Sequence, residues 1–270
     1  MTKIWKMKLY LISLFLLVLM CTVFVPGVSQ AEKSYPFKFN PSELTPKGSI
    51  TKVQDPMNPS APKVQKFYID GTRIEAADRP YNSVRAVMRE DIYSNRPKGK
   101  NGQPKEAWYG WDIYFPKDFP SGPQQTKGGV RFFNFKHTNE CSSMQLVHQP
   151  GYGDHDLFWR MSRVDANIDC PTVREVKVAD IRKLKGKWTR FEIFVRWSRE
   201  GDGIAEVYVD GTRKVHFEGV TCIEDCYKFN PFAYGIYKSN SPSLASIKPS
   251  YVLFKNVSRG KTRQDLAFKQ

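Results

Sequence analysis

The chain has 270 residues, of which 42 are Lys or Arg and 27 are Asp or Glu, a formal charge of +15. A protein this basic is drawn to polyanions: acidic polysaccharide, an anionic surface, or nucleic acid. The chain is expected to start with an export leader, which would disfavour nucleic acid as the natural partner and leave acidic polysaccharide as the expected one.

The leader is read from Lys3, Lys6 and Lys8, an apolar run from Leu9 to Val25, then Pro26, Gly27 and Ser29-Gln-Ala31. Small residues stand at both positions a signal peptidase needs, so residues 1–31 are expected to be removed, leaving a secreted or periplasmic protein with no membrane attachment. Loss of the three leader lysines lowers the formal charge from +15 to +12. Four cysteines remain, Cys141, Cys170, Cys222 and Cys226. An even number in an exported chain reads as two disulfides, with Cys141–Cys170 and Cys222–Cys226 the simplest of three pairings. There is no Cys-x-x-Cys pair and the four histidines are scattered, so zinc is the weaker alternative.

Residues 32–66 are rich in Pro, Ser, Lys and Asn without a sustained period and read as an irregular N-terminal arm. Short strands then follow one another. Phe67-Tyr-Ile precedes an Asp70-Gly71 turn, and next come Ser83 to Tyr93, Trp108 to Phe115, Val130 to His137, Ser143 to Gln149 and Leu157 to Met161. In Trp188 to Trp197, Phe191, Ile193, Val195 and Trp197 share one face and Arg190, Glu192 and Arg196 the other, the clearest period-2 pattern in the chain. Asp210-Gly211 joins Ala205–Val209 to Thr212–Phe217 as a two-residue hairpin. Pro231 to Asn240 and Tyr251 to Val257 supply the last strands, and 258–270 reads as a polar tail. Many antiparallel strands over ~190 residues, with little helical period, predict one all-β domain spanning 67–257. Its architecture is a two-sheet antiparallel sandwich of jelly-roll, concanavalin A-like type. A monomer is expected.

Alternation in Pro231–Asn240 puts Phe232, Tyr234 and Ile236 toward a core and Ala233, Gly235 and Tyr237 on a bare face, with Gly235 read as a gap that clears room for a ligand. Several segments here resemble those of the jelly-roll polysaccharide lyases. They are Arg85-Ala-Val-Met-Arg89, Phe135-Lys-His137, Trp188 with Arg190-Phe191 and Val195-Arg196-Trp197, Val207-Tyr-Val-Asp-Gly211, and Gly235-Ile-Tyr237. The order and spacing are most similar to the heparin lyase I and glucuronan lyase group, and more distantly to alginate lyases. The first segment is similar to the Arg-x-Glu-x-Arg strand of alginate lyases, with Val87 at the acid's place. The second is similar to Gln-x-His, with Phe135 at the amide's place. Pro231 to Ser239 is similar to Tyr-Phe-Lys-Ala-Gly-Val-Tyr-Asn-Gln, with Pro231 and Ala233 replacing the first tyrosine and the lysine.

What the resemblance implies is β-elimination beside a uronic acid. The C5 proton becomes removable once the adjacent carboxylate is neutralised, after which a base takes it and an acid protonates the leaving oxygen. On that reading His137 is the base, Tyr237 the acid and Arg89 the carboxylate clamp. Arg85, Lys136, Asn134, Gln145, Gln149, Tyr234, Lys238 and Trp108 are the expected substrate contacts, with Tyr109, Tyr152 and Trp159 as further stacking candidates. No cofactor is required. Calcium is the possible ion, and Val147 to Asp156, with His148, His155 and Asp154-His-Asp156, is the segment read as the rim of the cleft. The alternative is a non-catalytic lectin-like module for acidic glycans. Hydrolysis ranks low because no Glu-x-Asp-x-Glu strand is present.

Overall fold

The computed structural model describes residues 37–90, 104–121, 129–136, 142–149, 155–162, 172–222, 231–239 and 241–266. Expectations placed on residues 1–31, His137, Cys141, Tyr152, Asp154, Cys170 and Cys226 lie outside these, as does the side chain of Lys136.

Among the described residues the architecture is two seven-stranded antiparallel sheets packed face to face, as the sequence predicts. The first holds, in spatial order, β1 (Phe39–Pro41), β4 (Val84–Glu90), β13 (Phe232–Lys238), β6 (Val130–Lys136), β7 (Ser142–His148), β8 (Asp156–Ser162) and β9 (Thr172–Asp180). The second holds β12 (Thr212–Gly219), β11 (Gly203–Val209), β10 (Trp188–Arg196), β5 (Glu106–Tyr114), β14 (Ser250–Gly260), β3 (Val64–Ile69) and β2 (Ile50–Val53). The hairpin between β11 and β12 turns at Asp210 and Gly211, both with positive φ (47° and 78°), the backbone that an Asp-Gly pair tolerates.

The two ends of the domain depart from the sequence reading. The arm carries β1, which pairs with β4, and β2, which pairs with β3. Its Asp55 is buried, accepting from Trp188 Nε1 at 2.9 Å and Lys255 Nζ at 2.7 Å. A Pro- and Lys-rich composition hid these short edge strands, which need only a few backbone hydrogen bonds and one anchoring carboxylate. At the other end β14 runs to Gly260, and the residues after it fold back to bury Leu266. Strand β9 also escaped the sequence reading. It is an edge strand whose first half is exposed, so it lacks the apolar face that marks β10.

Between the sheets lies an aromatic core. Phe232 of β13 stacks on Tyr109 (5.2 Å, 4° between planes) and meets Trp111, Phe133 and Phe135 edge-on or tilted at 5.1–5.7 Å. These rings fix which face of the first sheet points inward. Two bulges then modify the alternation. Phe132 is an extra residue of β6 against β7, so Phe132 and Phe133 both turn to the core while Arg131 and Asn134 turn out. Opposite it, β13 carries an extra residue between Tyr234 and Tyr237, and Gly235 takes φ 139°.

Gly235 is therefore not a gap that admits ligand. Its positive φ is denied to most side chains, and a Cβ there would collide with the Ala86 carbonyl oxygen and the Phe67 ring. Gly235→Ala is expected to cost about 2–4 kcal/mol in chemical denaturation. A variant as stable as the parent would show that the bulge does not need glycine.

Candidate active site

The outward face of the first sheet is hollowed into a cleft of about 670 Å³. Its floor comes from Arg85, Val87 and Arg89 of β4, Ala233, Gly235 and Tyr237 of β13, Arg131 and Asn134 of β6, Ser142 and Gln145 of β7, and Arg160 of β8. Cross-strand register sets the rows. Tyr237 lies opposite Arg85 on one side and Arg131 on the other. Ala233 lies between Arg89 and Asn134, and Gln145 lies between Asn134 and Arg160.

The Tyr237 ring is held between two guanidinium groups, Arg85 at 4.5 Å and Arg131 at 5.1 Å from its centroid. Arg85 is itself fixed by a bidentate pair with buried Asp78, its Nε donating to Oδ2 at 2.7 Å and its second nitrogen to Oδ1. Asp78 thus brings the carboxylate that Val87 does not supply from the strand. Arg160 is likewise paired, with Glu175, and also donates to Gln149 Oε1 at 2.6 Å.

Arg131 differs from both. Its Nε donates to Gln145 Oε1 at 2.7 Å and a terminal nitrogen to Ser239 Oγ at 3.2 Å, both neutral acceptors. Burial pushes this guanidinium below its ordinary range, and the nearby charges of Arg160 and Arg85 push the same way. A desolvated cation held by neutral groups is a receptor for an anion from outside. Asn134 Nδ2 donates to Ser142 Oγ at 2.9 Å and presents its amide beside the same row.

Of the expected site residues, the cleft gathers Tyr237, Arg85, Arg89, Asn134 and Gln145, with Gln149 joined to it through Arg160. Arg89 is not held by its chain neighbour Glu90, which turns to the other face and pairs with Arg259. Phe135 does not occupy an amide's place in the cleft. It is buried against Tyr109 and Trp197, and the amides come from Asn134 and Gln145.

Tyr234 borders the cleft, but its side chain is corrected to the core, its hydroxyl donating to Gln65 Oε1 at 2.8 Å and its ring packed on Phe39, Phe67 and Phe254. Lys238 follows Tyr237 and so turns inward, where it is buried and its ammonium pushed below the usual range by desolvation. Trp108 lies on the outer face of the second sheet, beside Phe194, Tyr208 and Arg263. Tyr109 and Trp159 are wholly buried.

His148 belongs to no rim. It is fully buried, its Nδ1 donating to the Asp156 carbonyl at 2.9 Å, and its Nε2 has no hydrogen-bond partner. Asp156 pairs with Lys177 at 2.6 Å, and no cluster of three or more metal-ligating side chains occurs among the described residues. Residues 150–154 of the segment Val147–Asp156 lie outside the described residues.

Residues 47–258 match the family described as polysaccharide lyase. The chain belongs to the polysaccharide lyase family. It is an enzyme of that class, and its substrate is an acidic polysaccharide. Among solved structures it is similar to endo-β-1,4-glucuronan lyase from the fungus Trichoderma reesei, at 16% identity and TM-score 0.61, over 85% of this chain and 97% of that one. It is also similar to a family 7 alginate lyase, A1-II′ (13%, TM-score 0.52, 78% and 83% covered), and to the alginate lyase of Klebsiella pneumoniae (10%, 0.51, 79% and 85%). At such identities these likenesses speak for the fold. No curated protein matches the chain in sequence.

Sequence reasoning missed Arg131, Arg160, Asp78 and Ser239. Strict alternation from Phe133 and Phe135 turns Arg131 inward, and only the Phe132 bulge brings it out. For Arg160 a signal existed, since Leu157, Trp159 and Met161 alternate as core residues and leave one cation outward in mid-strand.

Two outcomes follow. Arg131→Gln is expected to weaken binding of acidic polymer and flatten its salt dependence while changing stability by less than about 1 kcal/mol, because a desolvated charge is removed along with its bonds. Titration of polymer at two ionic strengths, with denaturation curves, checks both. His148, pushed below its ordinary range by burial with His155 and Lys238 nearby, favours the neutral form in the folded state. Its contribution is complete above about pH 6.5 and is lost as pH falls below it, where the unfolded chain takes the proton first. Urea denaturation between about pH 6.5 and 5 should therefore show a shallower loss of stability for His148→Gln than for the parent.

Proposed function

We propose that this enzyme is secreted or periplasmic, acts as a monomer and cleaves a uronic acid-containing polysaccharide by β-elimination without a cofactor. The observation that carries the reading is the Tyr237 phenol set between Arg85 and Arg131 in a cleft lined by further arginines, amides and hydroxyls, its one carboxylate, Asp78, being paired with Arg85. Such a floor suits a carboxylate. With Arg89 and Arg131 beside it and the amides of Asn134 and Gln145 in reach, negative charge that develops on the carboxylate as the C5–H bond breaks is stabilised.

His137, which follows β6 directly in the chain, is the proposed base for the C5 proton. The electron pair of that bond forms the C4–C5 double bond, the C4–O bond breaks, and the leaving oxygen takes its proton from Tyr237. Arg85 and Arg131 flank the Tyr237 ring, so the phenolate that remains is met by cations. The leader sequence supports export. The two disulfides expected from four cysteines accord with the same compartment, and Cys222, buried and disulfide-bonded, is the one within the described residues.

Incubation with glucuronan, alginate and heparin-type polymers, followed by the ultraviolet absorbance of the unsaturated product, tests the reaction. Tyr237→Phe and His137→Ala are each expected to lower turnover by ~10²-fold or more with polymer affinity nearly unchanged, since general acids and bases act in the transition state. Binding without unsaturated ends on every polymer would replace the lyase reading with a lectin-like one.

A further inference from the structure

One wall of the cleft differs in kind from its floor. Leu44, Ala77 and Tyr81 face it there, with no cation among them. Tyr81 is 65% exposed, the only aromatic among the large apolar side chains left exposed in the described residues. Other outward aromatics are covered: Trp108 and Tyr208 lie beneath Arg263, and Trp188 beneath Lys255. Leaving a phenol ring in water gains nothing for the fold, while a pyranose ring carries an apolar C–H face that an open aromatic ring can cover.

The wall is also held in place before any ligand arrives. Tyr81 ends the 3-10 turn Ala76–Tyr81, which is stopped by Asn82 in the left-handed region (φ 46°, ψ 46°). The Asn82 N–H donates to Arg79 and Asp78 carbonyls, Ser83 Oγ to the Tyr81 carbonyl at 3.2 Å, and Ser241 N–H to the Asn82 carbonyl at 3.3 Å. The Asp78–Arg85 pair ties the same turn to the strand that carries the catalytic row. Residues 42–45, which bring Leu44 to the cleft, are pinned to β4, with Ser42 N–H donating to the Val87 carbonyl at 2.8 Å and Thr45 Oγ1 bonding both polar groups of Val87.

We infer that Tyr81 is a sugar-stacking subsite that holds one ring of the polysaccharide chain by its C–H face, away from the ring whose carboxylate meets the arginines. The inference rests on the acidic-polysaccharide cleft but not on the elimination step. Tyr81 sets how much the enzyme gains from a longer chain, and because the contact is uncharged its contribution does not depend on salt.

The test uses short and long oligomers of polyglucuronic acid and of alginate, with affinities measured calorimetrically in the Tyr237→Phe background at low and high ionic strength. Tyr81→Ala should weaken the long oligomers by about 3- to 10-fold and leave the short ones unchanged, equally at both salt levels, and Tyr81→Phe should restore the parent values. An equal loss at every length, no loss at any length, a loss that vanishes in salt, or a Tyr81→Phe as weak as Tyr81→Ala would each overturn the subsite. Because binding is read without turnover, failure of the elimination chemistry would show separately as absence of unsaturated ends in the parent enzyme. Failure of the parent to bind either series would overturn both.

Discussion

The constraint on which the site depends is the phase of the first sheet. Phe232, wedged among Tyr109, Trp111, Phe133 and Phe135, cannot turn outward without emptying the centre of the core. A slip of one residue in β13 would carry Tyr237 inside with it. The core rings therefore decide the direction of the Tyr237 phenol from five residues away. The bulges act against this background. Phe132 inserts one residue and so frees Arg131 from the phase of Phe133 and Phe135, while the Gly235 bulge keeps β13 abreast of the longer path. Together they bring a phenol and a guanidinium side by side on a face that strict alternation would have left with one of them.

The electrostatics of the cleft follow from which arginines already have a carboxylate. Arg85 and Arg160 are paired with Asp78 and Glu175, so their charge is largely spent on position. Arg131 has Gln145 and Ser239 instead, which orient it without neutralising it. The folded protein bears the cost of a desolvated cation, and an acidic group of the substrate is suited to offset that cost on binding. This makes affinity selective for acids. A neutral sugar would leave the guanidinium as uncompensated as before.

The fold was legible in the sequence because it rests on period-2 alternation, and β5, β10, β11 and β13 carry that pattern plainly. Part of the site was legible for the same reason: Arg85, Arg89, Asn134, Gln145 and Tyr237 lie where alternation puts them. The failures have three physical sources. Tyr234 and Lys238 stand an odd number of positions from Tyr237 in β13, so they face the other way, and both are buried. Arg131 was passed over because a bulge is a break in the very pattern used to read the strand. Asp78 and Tyr81 belong to a short turn with no period at all, and only tertiary packing against Arg85 and Ser241 brings that turn to the cleft.

Net charge told that a polyanion was the partner without telling where it binds, and the second sheet shows why. Its outward face is dense in charge, yet Arg190 meets Asp112, Arg263 meets Glu192, Arg196 meets Glu106 and Arg213 meets Glu206. Paired in this way, the cations on that surface have little net field to offer an acidic chain. Recognition then depends less on the number of basic residues than on how each is partnered. A sheet whose arginines meet carboxylates presents a neutral wall, while one that holds an arginine on amides and hydroxyls presents a receptor. The two faces of this sandwich differ in that respect more than in composition, which is why the cleft can be specific on a molecule that is basic throughout.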